Sequence, residues 1–402
     1  MYEPQIESGE EARLVAIVRE AGEISRLELA QRSGLGRNKV SATLKSLLDQ
    51  HFLEEVGTGA SSGGRPPSRV RFAKESGYLI GIDLGATSLD VAVTNLNAEP
   101  ICHLSREIDV RDGPDAVMSA ARADVERALD ESGLTRQSLK GIGMGIPGPV
   151  EFATGRPVSP PIMPGWHLFP IREYLEGEFG CPVFVDNDVN MMITGERWAG
   201  AGRDAQNFIF VKLGSGIGCG IVSHGKIYRG AQGSAGDIGH IAVGDDPTVC
   251  RCGNLGCLES IAGGWALGKT AERLANEQLS EILMRRSKES AVTAVDLGVA
   301  LAEGDPVVAE VVRQSGRAIG RVLASLVNFY NPELIVIGGG VAKIGDLLLA
   351  AIREAIYRRS LPLATRDIVI CRSQLGDDAG VVGSAALVMG ELYQLWPLGI
   401  QN

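Results

Sequence analysis

Apolar residues in the first fifty positions recur with helical spacing. Leu14, Ile17 and Val18 share one face of a segment over residues 10–20. A second helix is expected from Ser25, with Glu28 three residues on in capping-box spacing, and it carries Leu29 and Ala30. It stops near Ser33 and Gly34, and residues 34–36 make a tight turn. In a third segment, residues 37–50, Val40, Leu44 and Leu47 lie on one face. Arg37, Asn38, Ser41 and Lys45 fall within about 100° of one another on a different face. The period then drops to two, and residues 52–56 and 68–72 alternate as strands. The Gly/Ser-rich stretch 57–67 between them holds Arg65 between Gly64 and Pro66. Two helices across a tight turn, a basic polar stripe and a wing predict a winged helix-turn-helix over residues 1–76. Arg37, Asn38, Ser41 and Lys45 are its candidate operator contacts, and Arg65 suits a narrow minor groove.

From residue 78 the pattern becomes α/β. Apolar strands are expected at 78–84, 89–94, 101–110 and 141–146, with a helix over 114–132. A strand, a Gly turn bearing a hydroxyl and a second strand occur twice. The first instance carries Asp83, Gly85 and Thr87, and the second Gly214, Ser215, Gly216 and Gly218. The repeat predicts a body, residues 77–402, of two similar lobes that meet near residue 195 around a cleft. Such turns expose backbone N–H groups that can surround a polyphosphate, although neither is followed by the Gly-Lys-Ser/Thr of a Walker loop. A third apolar strand ends in Gly338, Gly339 and Gly340, where a phosphate or flat ring can approach the backbone. With Asp83, these sites fit ATP and Mg²⁺.

The 402 residues carry a net charge of −10, which argues against nucleic-acid binding over the whole surface. Residues 1–76 are balanced, however, and residues 26–74 hold nine Lys/Arg against four acids, so a locally basic unit precedes an acidic body. No apolar run is long enough for a membrane helix, and the acidic first residues do not read as a secretory signal. Seven Cys, three of them within residues 250–257, read as cytoplasmic thiols plus a metal site rather than a disulfide framework.

Two clusters carry candidate chemistry. A short strand at 183–185 runs into Asp186, Asn187, Asp188, Val189 and Asn190, ahead of a helix expected over 191–198. A helix N-cap needs one of these polar groups, and the others suit sugar hydroxyls or, at a carboxylate, proton transfer. Further on, Asp237 and His240 precede Cys250, Cys252 and Cys257, with Glu259 just beyond. One His and three Cys at this spacing satisfy a closed, structural tetrahedral zinc site. Asp237 and Glu259 flank it and are candidates for the same sugar.

These clusters, together with Gly145, Ile146, Pro147 and Gly148, resemble the ROK family of bacterial repressors and sugar kinases over nearly the whole chain. The resemblance implies a two-lobed actin/hexokinase-like (ribonuclease H-like) α/β body with a sugar–ATP cleft. It implies zinc on His240, Cys250, Cys252 and Cys257, and sugar facing Asn187, Asp188, His240 and Glu259. In the kinases, the residue matching Asp188 is the general base, and Asp83, Gly85, Thr87 and residues 214–218 match the phosphate loops. Three departures stand out: Asp237 replaces the usual Glu, Ala86 adds a Cβ where the kinases often keep Gly, and Ser215 replaces Thr. The leading expectation is a cytoplasmic, sugar-responsive repressor of carbohydrate-metabolism genes, a homodimer or dimer of dimers on operator DNA. The alternative is an ATP-dependent, glucokinase-like sugar kinase, either alone or combined with the regulator in a bifunctional protein.

Overall fold

A computed structural model describes residues 6, 8–58, 68–244 and 247–396. The N-terminal unit holds α1 (Gly9–Ala21), β1 (Glu23–Ser25), α2 (Arg26–Ser33), α3 (Arg37–Asp49), β2 (Leu53–Thr58) and β3 (Ser68–Phe72). Ser25 caps α2 reciprocally. Its Oγ accepts from the Glu28 amide at 3.3 Å while Glu28 Oε2 accepts from the Ser25 amide at 2.9 Å. Gly34 closes α2 at φ 68°, a left-handed backbone that favours glycine. The strands pair in the order β1–β3–β2, all antiparallel. Ser25, the expected helix start, is the N-cap of α2, and the short β1 that ends on it supplies the third strand.

In the body, the first sheet is built from β4 (Tyr78–Leu84), β5 (Ser88–Asn95), β6 (Pro100–Glu107), β7 (Leu139–Ile146) and, after a small β8–β9 hairpin (Val150–Glu151, Arg156–Pro157), β10 (Val183–Asn187). Its order is β10–β7–β4–β5–β6, with α4 (Pro114–Glu131) and α5 (Ile171–Phe179) packed against it. β6 ends three residues before Val110, which instead opens a 3₁₀ turn. Then α6 (Asp188–Ala199) leads to β11 (Phe208–Leu213), β12 (Ile217–Ser223) and β13 (Lys226–Ile227). Residue 195 lies inside α6, so the passage between the sheets is residues 200–207.

Next come α7 (Leu258–Ala262), α8 (Gly264–Asn276), α9 (Glu281–Arg286), α10 (Ala294–Ala302) and α11 (Pro306–Tyr330). After them follow β14 (Leu334–Gly338), α12 (Asp346–Arg359), α13 (Pro362–Thr365), β15 (Val369–Arg372) and α14 (Ala379–Tyr393). The second sheet runs β13–β12–β11–β14–β15. A core of aliphatic side chains from α7, α8, α10, α11 and α12 covers it.

The last helix returns to the first lobe. A Cβ at Gly81 of β4 or Gly143 of β7 would overlap the carbonyls of Val381 and Ser384 in α14, and one at Gly383 would overlap Met191 O in α6. These glycines let α14 lie directly on the sheet and on α6. The core of the N-terminal unit (Leu14, Leu29, Leu44, Leu47, Phe52, Val70) runs on without a break into Val382, Ala385, Met389 and Tyr393 of α14. Phe52 meets Tyr393 edge to face at 5.1 Å. The Arg19 guanidinium of α1 lies 3.7 Å over Trp198 at the end of α6, and Trp198 Nε1 donates to Asn97 O at 2.8 Å. Burial holds Arg19 down to about 10.

Candidate functional site

The end of β10 and the start of α6 form one polar corner. Asn187 is the cap of α6: its Oδ1 accepts from the Val189 amide at 2.9 Å, and its Nδ2 donates to Gly148 O at 3.0 Å. Asp186, 2% exposed, accepts from Asn190 Nδ2 at 2.9 Å and Arg229 Nε at 2.7 Å. Most of the expected sugar-binding cluster is therefore engaged internally. The strand reaches two residues further than expected and the helix starts three residues earlier, so no loop remains to offer these groups freely. Asp188, 4% exposed, is ion-paired with Lys212 from β11 of the other lobe.

The sequence reading missed Lys212. Its only signal was one cation inside the apolar run Phe-Ile-Phe-Val-Lys-Leu. Burial works against its charge, but Asp188 and Asp83 outweigh this and hold the ammonium above the usual lysine range. Burial pushes the Asp83 carboxyl up to about 7, opposed by Lys212. Asp83 Oδ1 is buried with no hydrogen-bond partner.

The turn at 214–216 links this corner to the cysteine loop. A Cβ at Gly214 would sit 3.2 Å from Lys212 Cε, and one at Gly216 would overlap the Glu259 carboxylate. Glu259 Oε2 accepts from the Ile217 amide at 3.0 Å. Gly218 packs on Val189 of α6, and Gly338 on the Phe210 ring. Gly339 has φ 88° beside the Leu213 carbonyl. Internal packing thus accounts for Gly216, Gly218, Gly338 and Gly339. Gly340, by contrast, has open space where a side chain would go. Gly85 turns between β4 and β5, its amide donating to Ser88 O at 2.8 Å. The side chain of Thr87 is exposed, and Ser215 is held through its carbonyl by the Trp265 amide at 3.1 Å.

The ligand atoms of His240, Cys250, Cys252 and Cys257 all lie within 4.8 Å of one another. Cys252 Sγ and Cys257 Sγ are 3.8 Å apart, too far for a disulfide. That spacing matches the roughly 3.8 Å edge of a tetrahedron with Zn–S bonds of about 2.3 Å. His240 Nδ1 lies 3.7 Å from Cys250 Sγ, so the imidazole turns this nitrogen to the thiols. The Asn254 amide holds the Cys252 thiol below its ordinary range, whereas burial pushes the Cys250 and Cys257 thiols up. The donor set fits zinc. Asp237 sits at the head of the Ile238–His240 turn, and its carboxylate has no partner among the described residues.

On the N-terminal unit, Arg37, Asn38, Ser41 and Lys45 are exposed along α3 while Val40, Leu44 and Leu47 are buried. Neighbouring cations are paired: Lys39 with Glu10 at 2.6 Å and Arg26 with Glu55 at 2.9 Å. Arg65 lies outside the described residues.

Two sheets of one topology, bridged at the Asp188–Lys212 corner, define the actin/hexokinase-like α/β architecture. Residues 79–391 match the ROK family, and the chain belongs to it. It is 30% identical over 369 residues to a xylose repressor of Caldicellulosiruptor bescii, covering 92% of each chain. It is 35% identical over 313 residues to a glucokinase of Halalkalibacterium halodurans, covering 77% of this chain and 94% of the glucokinase. Among solved structures it matches a ROK family transcriptional regulator, a homologue of the E. coli MLC protein, with a TM-score of 0.82 and 26% identity over 96% of each chain.

Proposed function

We propose that the chain is a sugar-responsive transcriptional repressor whose N-terminal unit is a winged helix-turn-helix. The observation that carries this reading is the seating of that unit on α6. This helix has Asn187 and Asp188 at one end and Trp198, under Arg19, at the other. At about 1.5 Å per residue, one rigid element of roughly 18 Å joins the sugar corner to the DNA-reading unit. The repressor relative also covers more of the chain than the glucokinase does.

Arg37, Asn38, Ser41 and Lys45 face the operator in this reading, and a dimer presents two such helices to two half-sites in the cytoplasm. At the sugar, Asp188 accepts from one hydroxyl while Lys212 donates to another, so binding loosens the bridge between the lobes. Glu259 Oε1, Asp237 and the second nitrogen of His240 face the same ligand. His240, Cys250, Cys252 and Cys257 hold a structural zinc that fixes the loop carrying His240.

Sensing is favoured over phosphoryl transfer because Asp188 is not a free base. Turnover would need Asp188 to release Lys212 and take a proton while ATP–Mg²⁺ sits on the glycine turns. The test is operator binding by fluorescence anisotropy, with xylose and glucose titrated in. One of the sugars should change DNA affinity, Asp188→Asn should weaken that response, and removal of residues 1–76 should abolish DNA binding but keep sugar binding. Operator binding by the truncated body sinks the domain assignment. Robust ATP-dependent phosphorylation of either sugar, lost in Asp188→Asn, sinks the sensor reading.

A further inference from the structure

The seam between the N-terminal unit and the body is largely apolar, with Phe52 and Val70 on one side and Val382, Ala385, Met389 and Tyr393 on the other. Arg19 of α1 brings a charge to it. The guanidinium is half-buried, lies 3.7 Å over the Trp198 ring, and donates from Nη1 to Asn97 Oδ1 at 3.4 Å. Trp198 itself is 3% exposed. Glu20 attracts this cation and Arg203 repels it, and among the described residues no carboxylate lies in ion-pair contact with it.

Asn97, in the turn between β5 and β6, gathers both tips. Its backbone carbonyl accepts from Trp198 Nε1 at 2.8 Å while its side-chain oxygen takes Arg19. Asn97 is held in place on its own account. Its Nδ2 donates to Glu99 Oε1 and its amide to Asn95 Oδ1, both at 2.9 Å. The Leu96 amide donates to the Lys74 carbonyl at 2.9 Å, and Lys74 pairs with Glu99 at 2.5 Å. The turn is therefore also tied to the chain that leaves the N-terminal unit.

Apolar contacts have no direction and tolerate a small slide. A cation over a ring face and a hydrogen bond do not, because both depend on position and angle. Arg19 thus has its full set of partners at one setting of the seam. A shift of Trp198 takes the ring from under a cation that is already partly out of water. The seam then has two discrete settings, seated and released, which is what coupling between separate sites requires. We propose that Arg19 is the positioning residue that passes movement of α6 to the N-terminal unit, with Asn97 as its fixed stop. The inference rests on the repressor reading and deepens it. The other end of α6 carries Asn187 and Asp188, so a ligand that moves that end also moves Trp198 under Arg19.

The experiment compares the full chain with Arg19→Met, which keeps an apolar stem without the cation, and Arg19→Lys, which keeps a cation for the ring. Operator binding is followed by anisotropy with and without xylose or glucose. The ratio of operator affinities with and without sugar should shrink by at least about fivefold in Arg19→Met and recover in part in Arg19→Lys. Sugar affinity in the absence of DNA should stay within about twofold of the wild type in both. Amide hydrogen exchange over residues 9–21 reads the seating directly and needs no sugar. It should quicken about tenfold in Arg19→Met and less in Arg19→Lys. A full sugar response in Arg19→Met, or unchanged exchange, overturns the latch alone. Loss of sugar binding by DNA-free Arg19→Met overturns it by showing a merely structural role, and equal losses in the two variants overturn the part given to the cation. Wild-type operator binding that ignores both sugars sinks the repressor reading and the transmitting role together.

Discussion

The two lobes are one topology used twice. In each, an antiparallel hairpin and a third strand are extended by two parallel strands: β4, β5, β6, β7 and β10 in the first lobe, β11, β12, β13, β14 and β15 in the second. The hairpins align residue for residue into the turn, so that Leu84-Gly85 corresponds to Leu213-Gly214. Asp83 then corresponds to Lys212. The same position holds an acid in one lobe and a base in the other, and the two act on each other electrostatically, with Asp188 as the third member. Duplication supplies the frame, and opposite charges at one repeated position turn two copies into a pair.

The largest effect on this pairing should come from Lys212→Met. It strands Asp188 beside an already strained Asp83, and stability in urea should fall by about 3–5 kcal/mol, as when a buried ion pair loses one partner. A loss below about 1 kcal/mol would mean that the pair is solvated and the lobes are not joined there.

Asp83 comes next. Folding raises its pKa from 3.8 to about 7, so between those values the folded chain keeps a proton that the unfolded chain has released. Its contribution to stability therefore falls as pH rises through that window, by up to about 4 kcal/mol at 1.36 kcal/mol per unit. Urea melts at pH 5 and pH 8 should show this decline in the wild type and not in Asp83→Asn. An equal decline in both would assign the pH dependence elsewhere.

The second lobe also carries the His240, Cys250, Cys252 and Cys257 cluster, a candidate metal loop with no counterpart in the first. Elemental analysis should give about one zinc per chain, and Cys252→Ser should lose it with a drop in melting temperature while the N-terminal unit stays folded. Protein purified without chelator that contains no zinc would remove this distinction between the lobes.

The smallest effect sharpens the comparison at the third glycine cluster. Gly340→Ala should change stability by less than about 0.5 kcal/mol, whereas Gly339→Ala, at φ 88°, should cost more than about 1 kcal/mol. If both are silent in stability and both impair ATP binding, the cluster serves a nucleotide after all.

Much of this was legible in the sequence, because local signals carried it. The Ser25/Glu28 capping box, the period-two strands and the repeated glycine turns each follow from neighbours a few residues apart. The cysteine spacing also brought its four ligands together as expected. What could not be read were pairings made over long range. Lys212 looked like an ordinary strand residue until β11 was set opposite β10 and β4. The glycines at 216 and 218 carry no sequence signal for what they pack against, and their missing side chains make room for Glu259 and Val189. Nor could the sequence show that Asn187 caps α6 through Oδ1 and donates from Nδ2 to the Gly148 carbonyl. Sequence proximity marks the polar cluster, and only the fold shows which members are already engaged.

The return of α14 to the first lobe sets a timetable for the chain's birth. The ribosome makes β4 and β7 more than two hundred residues before it makes the helix that covers Gly81 and Gly143. Until residues 379–393 emerge, one face of the first sheet is bare, and the N-terminal unit lacks much of the surface it sits on. The N-terminal unit, made before the body, completes its shared core only when α14 arrives, and a chain cut short of that helix leaves the unit without this support.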